Sequence, residues 1–193
     1  MANAKISLLD YLREFKRSPR SIGSFAESGV QLSVAMAKTA DVKPDEIVVE
    51  FGPGTGVITA QLLAQGVKPA QLLLVEFSAK FAANLQVRFP HLKIIHGDAW
   101  QIEALMATHF PGQKCAAIVS SLPLLNFPKS LRSSLMNAID RVLDPVHGRL
   151  VQFSYGLKMP VEPPASFSAS PSKWIFKNVP PARVWLYERN TSV

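Results

Sequence analysis

The chain has 193 residues, 48% of them apolar, and a formal net charge of +7. That length supports one domain with a substantial core, and the composition excludes a disordered polymer. A single cysteine, Cys115, excludes an intrachain disulfide, the four histidines lack metal-ligand spacing, and no apolar run is long enough to span a bilayer.

The charge is uneven. Residues 1–20 carry five Lys/Arg against two Asp/Glu, residues 21–128 seven against eight, and residues 129–193 nine against four. Basic ends around a neutral middle suit a polyanionic partner, either nucleic acid or an anionic membrane surface, or else form an ordinary solvated surface. The first residues show no signal-peptide apolar region, so a cytoplasmic protein is expected.

Residues 5–17 read as a short basic amphipathic helix. Leu8, Leu9, Leu12 and Phe15 recur at helical spacing, beside Lys5, Arg13, Lys16 and Arg17. Such a helix either packs on the core or lies in a headgroup layer. Pro19 breaks it. A second helix is expected from about Ser24 to Thr39, with Val30, Val34, Ala35 and Ala37 facing inward.

Ile47, Val48 and Val49 form a buried strand that ends in Glu50. Gly52, Gly54 and Gly56 follow at alternate positions, and then a helical stretch with Val57, Ile58, Leu62 and Leu63. Strand, glycine turn and helix is the architecture of a nucleotide site, because glycine lets the chain turn sharply and a ligand approach its backbone. The spacing fails the dinucleotide fingerprint, since Val57 stands where its third glycine would be. What stands is E-x-G-x-G-x-G, which resembles the first motif of class I S-adenosylmethionine-dependent methyltransferases. The resemblance implies that Glu50, Gly52, Gly54, Thr55 and Gly56 cradle the amino-acid end of that cofactor.

The next strand, Leu72–Glu76, ends in an acid 20 residues after Gly56. An acid at that place accepts hydrogen bonds from both ribose hydroxyls, and Phe77 follows it. A helix from Ala79 to about Arg88 stops before Pro90. The third strand, Leu92–His96, runs into Gly97-Asp98-Ala99. In the methyltransferase pattern Asp98 pairs with the adenine amino group and the Ala99 amide faces the ring; an Asp after Gly also suits a turn or helix cap.

Strand four is Cys115–Ser120, followed by Ser121-Leu122-Pro123-Leu124-Leu125-Asn126-Phe127-Pro128 and a helix from about Lys129 to Leu143. Strand five, Arg149–Ser154, leads into Tyr155-Gly156. The following stretch, with Pro160, Pro163, Pro164 and Pro171, reads as an irregular mobile loop. Trp174–Val179 and Ala182–Tyr187 alternate like the strands of a hairpin turned by Pro180-Pro181. The expected fold is α/β and Rossmann-like: one domain, a seven-stranded mixed sheet of five parallel βα units and a C-terminal antiparallel pair, preceded by N-terminal helices.

Four blocks beyond the cofactor loop resemble the bacterial phospholipid N-methyltransferases, themselves similar to ribosomal adenine dimethylases. They are Phe15–Ser24, Ser120–Pro128, Gln152–Gly156 and Asn178–Trp185. The resemblance implies methylation of phosphatidylethanolamine toward phosphatidylcholine at the inner face of the cytoplasmic membrane, with no metal. Ribosomal dimethylases carry Asn-Leu-Pro-Tyr after strand four, where this chain has Ser121-Leu122-Pro123-Leu124. The planar amide and the base-stacking aromatic are absent, while the Leu122 carbonyl is available to accept from an amine.

Ser120 is expected at the cofactor, and Tyr155, Ser121 and Leu122 at the reacting centre. The Tyr155 ring is a candidate to stabilise the cationic nitrogen formed by each transfer; its bland alternative is a sheet-end tyrosine. Leu124, Phe127, Lys16, Arg20 and Arg183 are candidate lipid contacts, with Arg17 and Lys158 as further cations. The alternative functions are an RNA adenine N6-methyltransferase, which the basic balance suits, and a non-catalytic cofactor-binding protein.

Overall fold

A computed structural model describes residues 25–43, 45–155, 157–176 and 180–190. The amphipathic segment at 5–17 and the candidates Lys16, Arg17 and Arg20 lie outside these residues.

Seven strands form one sheet: β1 (Val48–Phe51), β2 (Leu72–Glu76), β3 (Lys93–His96), β4 (Ala117–Ser120), β5 (Arg149–Ser154), β6 (Phe167–Pro171) and β7 (Arg183–Arg189). Their spatial order is β3-β2-β1-β4-β5-β7-β6. The first five are parallel, and β7 runs antiparallel between β5 and β6. The order reverses beside β1, so the crevice outside the carboxyl ends of β1 and β4 is the place for a ligand in an open α/β sheet.

Helices α1 (Phe25–Ala40), α2 (Val57–Ala64), α3 (Ala79–Arg88), α4 (Ile102–His109) and α5 (Lys129–Val142) cover the sheet. Val48, Leu72, Leu74 and Val119 pack with Leu32 and Met36 of α1 and Leu62 of α2. Val49, Phe51, Leu73 and Ile118 pack with residues of α4 and α5 on the opposite face. Burial on both faces is why β1 and β2 read as continuous apolar runs rather than alternating ones.

The sequence placed α3, β2 and β5 correctly, and two expectations need correction. Of the residues expected inward on α1, Ala37 is buried and Ala35 packs against the core, whereas Val30 is 44% exposed; Leu32, Met36 and Ala40 complete that face. The helix that five βα units imply between β3 and β4 is α4. The outer strand of the terminal hairpin is Phe167–Pro171, inside the stretch expected to be an irregular loop. The Trp174 segment contributes one isolated bridge, Ile175 to Ala182. The physical reason is that β6 is an edge strand, where a terminal proline costs no ladder bond.

Candidate active site

The loop after β1 is built on backbone conformations that favour glycine. Gly52 has φ +65 and Gly56 φ +79, in the left-handed region where a Cβ is strained. A Cβ on Gly56 would also stand 2.5 Å from Phe89 Cε2 and 2.9 Å from Leu85 Cδ2. Gly56 therefore seats the loop on the end of α3. The Arg88 guanidinium reinforces that seat by donating to the Thr55 carbonyl.

Glu76, at the end of β2, is only 6% exposed. Its Oε2 accepts from the Gly54 amide at 3.0 Å and its Oε1 from the Ser78 amide at 2.7 Å. One carboxylate thus ties the glycine loop to the β2 terminus. A carboxylate offers about four lone-pair sites, so these two bonds leave capacity for hydroxyl donors.

Gly52, Gly54, Glu76, Phe77, Asp98 and Ala99 line an open cleft. Val75, Ser78, Phe81, Gly97, Trp100, Ser121, Leu122 and Pro123 complete its wall. Asp98 Oδ1 accepts from the Trp100 amide at 3.0 Å. The cap expected of an Asp after Gly is present, and the same residue faces the cleft. Partial burial holds the Asp98 carboxyl above its ordinary value, against the lowering effect of that amide.

Four cofactor candidates stand outside this lining: Glu50, Thr55, Gly56 and Ser120. Glu50 is fully buried. Its Oε2 accepts from Thr59 Oγ1 of α2 at 2.7 Å, and its Oε1 has no partner. Burial, which favours the protonated form, pushes its carboxyl up to about 8 against the lowering effect of the Thr59 hydroxyl. Glu50 alternates with Val49 and Phe51 along β1, which turns it toward α2 and away from the cleft. Ser120 is buried too, and its Oγ accepts from the Leu122 amide at 3.3 Å.

A second cleft shares Ser121, Leu122 and Pro123 with the first. Leu124, Leu125, Phe153 and Tyr155 give it a mainly apolar wall. Tyr155 is 49% exposed and meets Phe153 edge-on, with centroids 5.3 Å apart.

The Leu122 carbonyl, expected to accept from an amine, already accepts twice. The Leu124 amide donates to it at 2.8 Å, across Pro123 at φ −77 and ψ 63, an inverse γ-turn. Gln152 Nε2 donates to it at 3.0 Å. A backbone carbonyl has two lone pairs, so this expectation is corrected.

Phe127 is also corrected. It is a buried core residue, edge-on to Trp100 with centroids 5.3 Å apart, and does not line either cleft. Arg183 lies beside the second cleft, because it pairs with Ser154 at the end of β5. Its guanidinium stands 4.8 Å from the Trp174 ring and donates to the Ser172 carbonyl at 3.2 Å. Lys158 is exposed and outside the lining. Sequence reasoning missed Trp100, Phe81 and Ser78 in the first cleft. Only Trp100 had a signal, its place two residues after Asp98. Among the described residues no group of His, Cys, Asp and Glu could hold a metal ion.

The model of the ribosomal RNA adenine dimethylase family matches residues 32–141. The chain belongs to that family. It is a class I S-adenosylmethionine-dependent methyltransferase. Ornithine lipid N-methyltransferase of Singulisphaera acidiphila is 30% identical over 70% of this chain and 71% of its own length. Ribosomal RNA small subunit methyltransferase A of Synechococcus sp. (strain RCC307) is 34% identical over 65% of this chain, but that match spans only 43% of the relative. Magnesium protoporphyrin IX methyltransferase from Synechocystis PCC 6803, solved with bound SAM, superposes with a TM-score of 0.63 at 15% identity, covering 94% of this chain and 91% of that one. The likeness shows the fold.

The cleft of this methyltransferase fits the cofactor. Acids end β2 and follow β3, glycine backbone forms one wall, and Phe77, Phe81, Ala99 and Trp100 offer apolar surface for a purine. Glu76 would hold the ribose and Asp98 the adenine edge. Gly52 and Gly54 would face the amino-acid end.

Proposed function

We propose that this enzyme methylates the aliphatic headgroup amine of a membrane lipid at the bilayer surface. Phosphatidylethanolamine, on the way to phosphatidylcholine, is the first substrate to test. The observation that carries this reading is the doubly engaged Leu122 carbonyl beside Ser121. The lone pair of a nucleobase amino group is delocalised into its ring, so methylating it calls for acceptors that pull on both N–H groups. Here the planar amide is a serine and the carbonyl is occupied. An aliphatic amine, once neutral, has a localised lone pair and needs no such help.

S-adenosylmethionine supplies an electrophilic methyl group carried on a sulfonium. The protein orients the amine and excludes water, which together account for much of the acceleration in reactions of this kind. A new N–C bond forms as an S–C bond breaks, and the amine's proton leaves to solvent. Tyr155 and Phe153 present rings at the second cleft, where a cationic nitrogen gains from an aromatic face.

The surroundings suit a lipid. Leu157 is 76% exposed, close in sequence to Tyr155 at the same end of the sheet. From Pro163 to Tyr187 the chain has Lys173, Lys177 and Arg183 and no acid. The relative from Singulisphaera bears the name of a lipid N-methyltransferase. RNA adenine methylation is the second reading, favoured by the family description and the ribosomal RNA methyltransferases among the relatives.

The deciding experiment incubates the protein with methyl-labelled cofactor, vesicles of phosphatidylethanolamine and phosphatidylglycerol, and ribosomal RNA. Label is expected in lipid, at a rate lowered by Tyr155→Ala with cofactor affinity unchanged. Label confined to RNA would replace the lipid reading with the second one.

A further inference from the structure

We propose that Gln152 is a positioning residue for methyl transfer, its side-chain amide fixing the wall that the cofactor and acceptor clefts share. Gln152 is fully buried near the end of β5. It sits between Ser120 of β4 and Trp185 of β7 in the sheet register. Its Nε2 donates to the Leu122 carbonyl at 3.0 Å and to the Phe153 carbonyl at 2.9 Å. Two carbonyl oxygens on one side of the amide demand the NH₂ group there, which settles its orientation.

The other end of the amide is unsatisfied. Gln152 Oε1 is buried without a hydrogen-bond partner. Buried polar groups are ordinarily paired, and an exception marks a place where another requirement dominates. Here the requirement is two donations from one nitrogen. One bond reaches the loop common to both clefts, and the other reaches the residue before Ser154-Tyr155. Gln152 thereby sets the separation between Leu122 and the Phe153–Tyr155 wall, across which an acceptor amine must approach.

The same bond gives the loop its chemical character. With the Leu124 amide on one lone pair of Leu122 and Gln152 on the other, the carbonyl has no lone pair left for the acceptor. The wall offered to the amine is then apolar and aromatic, which rests on the lipid-amine reading given above.

The test uses the full chain and reads hydrogen exchange as well as activity. In Gln152→Met, which keeps length and removes the donor, protection of the Leu124 amide should fall roughly tenfold, while amides of β4 and β2 stay protected. In Gln152→Glu, burial against two carbonyls keeps the new carboxyl protonated near neutral pH. It then donates once and restores protection, which is lost as pH rises and the group ionises. Wild-type protection factors should show no such pH dependence. With phosphatidylethanolamine vesicles, Gln152→Met should lower kcat and leave the KM for the cofactor unchanged. Unaltered Leu124 protection in Gln152→Met overturns the proposal. If that variant does not fold, a pH-independent Gln152→Glu overturns it instead. If wild type leaves lipid unmethylated, the functional reading falls, and Leu124 protection together with kcat on whichever acceptor takes the label still decides the role of Gln152.

Discussion

Glu76 and Glu50 are both buried acids near the glycine loop, with opposite tasks. Glu76 receives two backbone amides and faces the cleft. Glu76→Ala should weaken S-adenosylmethionine binding, since hydrogen bonds to a charged acceptor are worth about 1.5–3 kcal/mol each. Calorimetric titration checks this, and unchanged affinity would remove Glu76 from the site. Glu50 is held as a neutral acid by burial, its carboxyl raised from 4.5 to about 8. A raised carboxyl means the folded state keeps a proton that the unfolded chain has lost. Its contribution to stability is neutral below pH 4.5 and becomes more unfavourable up to about pH 8, by at most about 1.4 kcal/mol per pH unit. Glu50→Gln should therefore raise Tm more at pH 8 than at pH 5. An equal shift at both pH values would mean that Glu50 is ionised in the native protein.

At the level of elements, the parallel half of the molecule was legible in the sequence and the antiparallel half only partly so. Runs such as Leu72–Val75, short, apolar throughout and bounded by turn residues, suit strands buried on both faces. Their terminal acid and the loop glycines marked the cleft. β6 was hidden because Ser168, Ala169, Ser170 and Pro171 carry no strand signal of their own; β7 recruits them by pairing. The site was hidden where it depends on contacts distant in sequence. Nothing local in Ser121-Leu122-Pro123 reveals that Gln152, 30 residues on, fills the Leu122 carbonyl. The edge strand nonetheless carries a core anchor, Phe167, buried beneath the Arg189 guanidinium at 4.3 Å. Phe167→Ala should cost about 3 kcal/mol in urea unfolding. A loss under roughly 0.5 kcal/mol, the range of surface substitutions, would mean that β6 is not anchored.

At the scale of the whole molecule, ligand-facing surface is gathered at one end of the sheet. The carboxyl ends of β1, β2, β3 and β4 border the first cleft, and the end of β5 borders the second. Because β7 runs antiparallel, Arg183 joins them at its amino end, with Trp174 and the exposed Phe176 alongside. No helix among the described residues is long and apolar enough to cross a membrane. Cosedimentation with phosphatidylglycerol-rich vesicles should show binding that weakens as salt rises. Leu157→Glu with Phe176→Glu should reduce it and spare cofactor binding. If that double variant binds vesicles as wild type does, this end of the sheet is not the membrane face.

The fit of Gly56 over Phe89 carries a consequence for how this chain can vary. Two positions 33 apart in sequence share one small volume, so the harm done by a change at either depends on what stands at the other. Gly56→Ala introduces a methyl where a ring already lies, and Phe89→Leu withdraws that ring. The two changes together should cost less stability than their separate costs added, a coupling that a double-mutant cycle reads directly. A residual penalty should survive in the pair, because Leu85 Cδ2 still stands 2.9 Å from the new methyl and the left-handed backbone at position 56 still disfavours a side chain. Substitution at 89 would therefore have to come first, and even then position 56 would be only partly released.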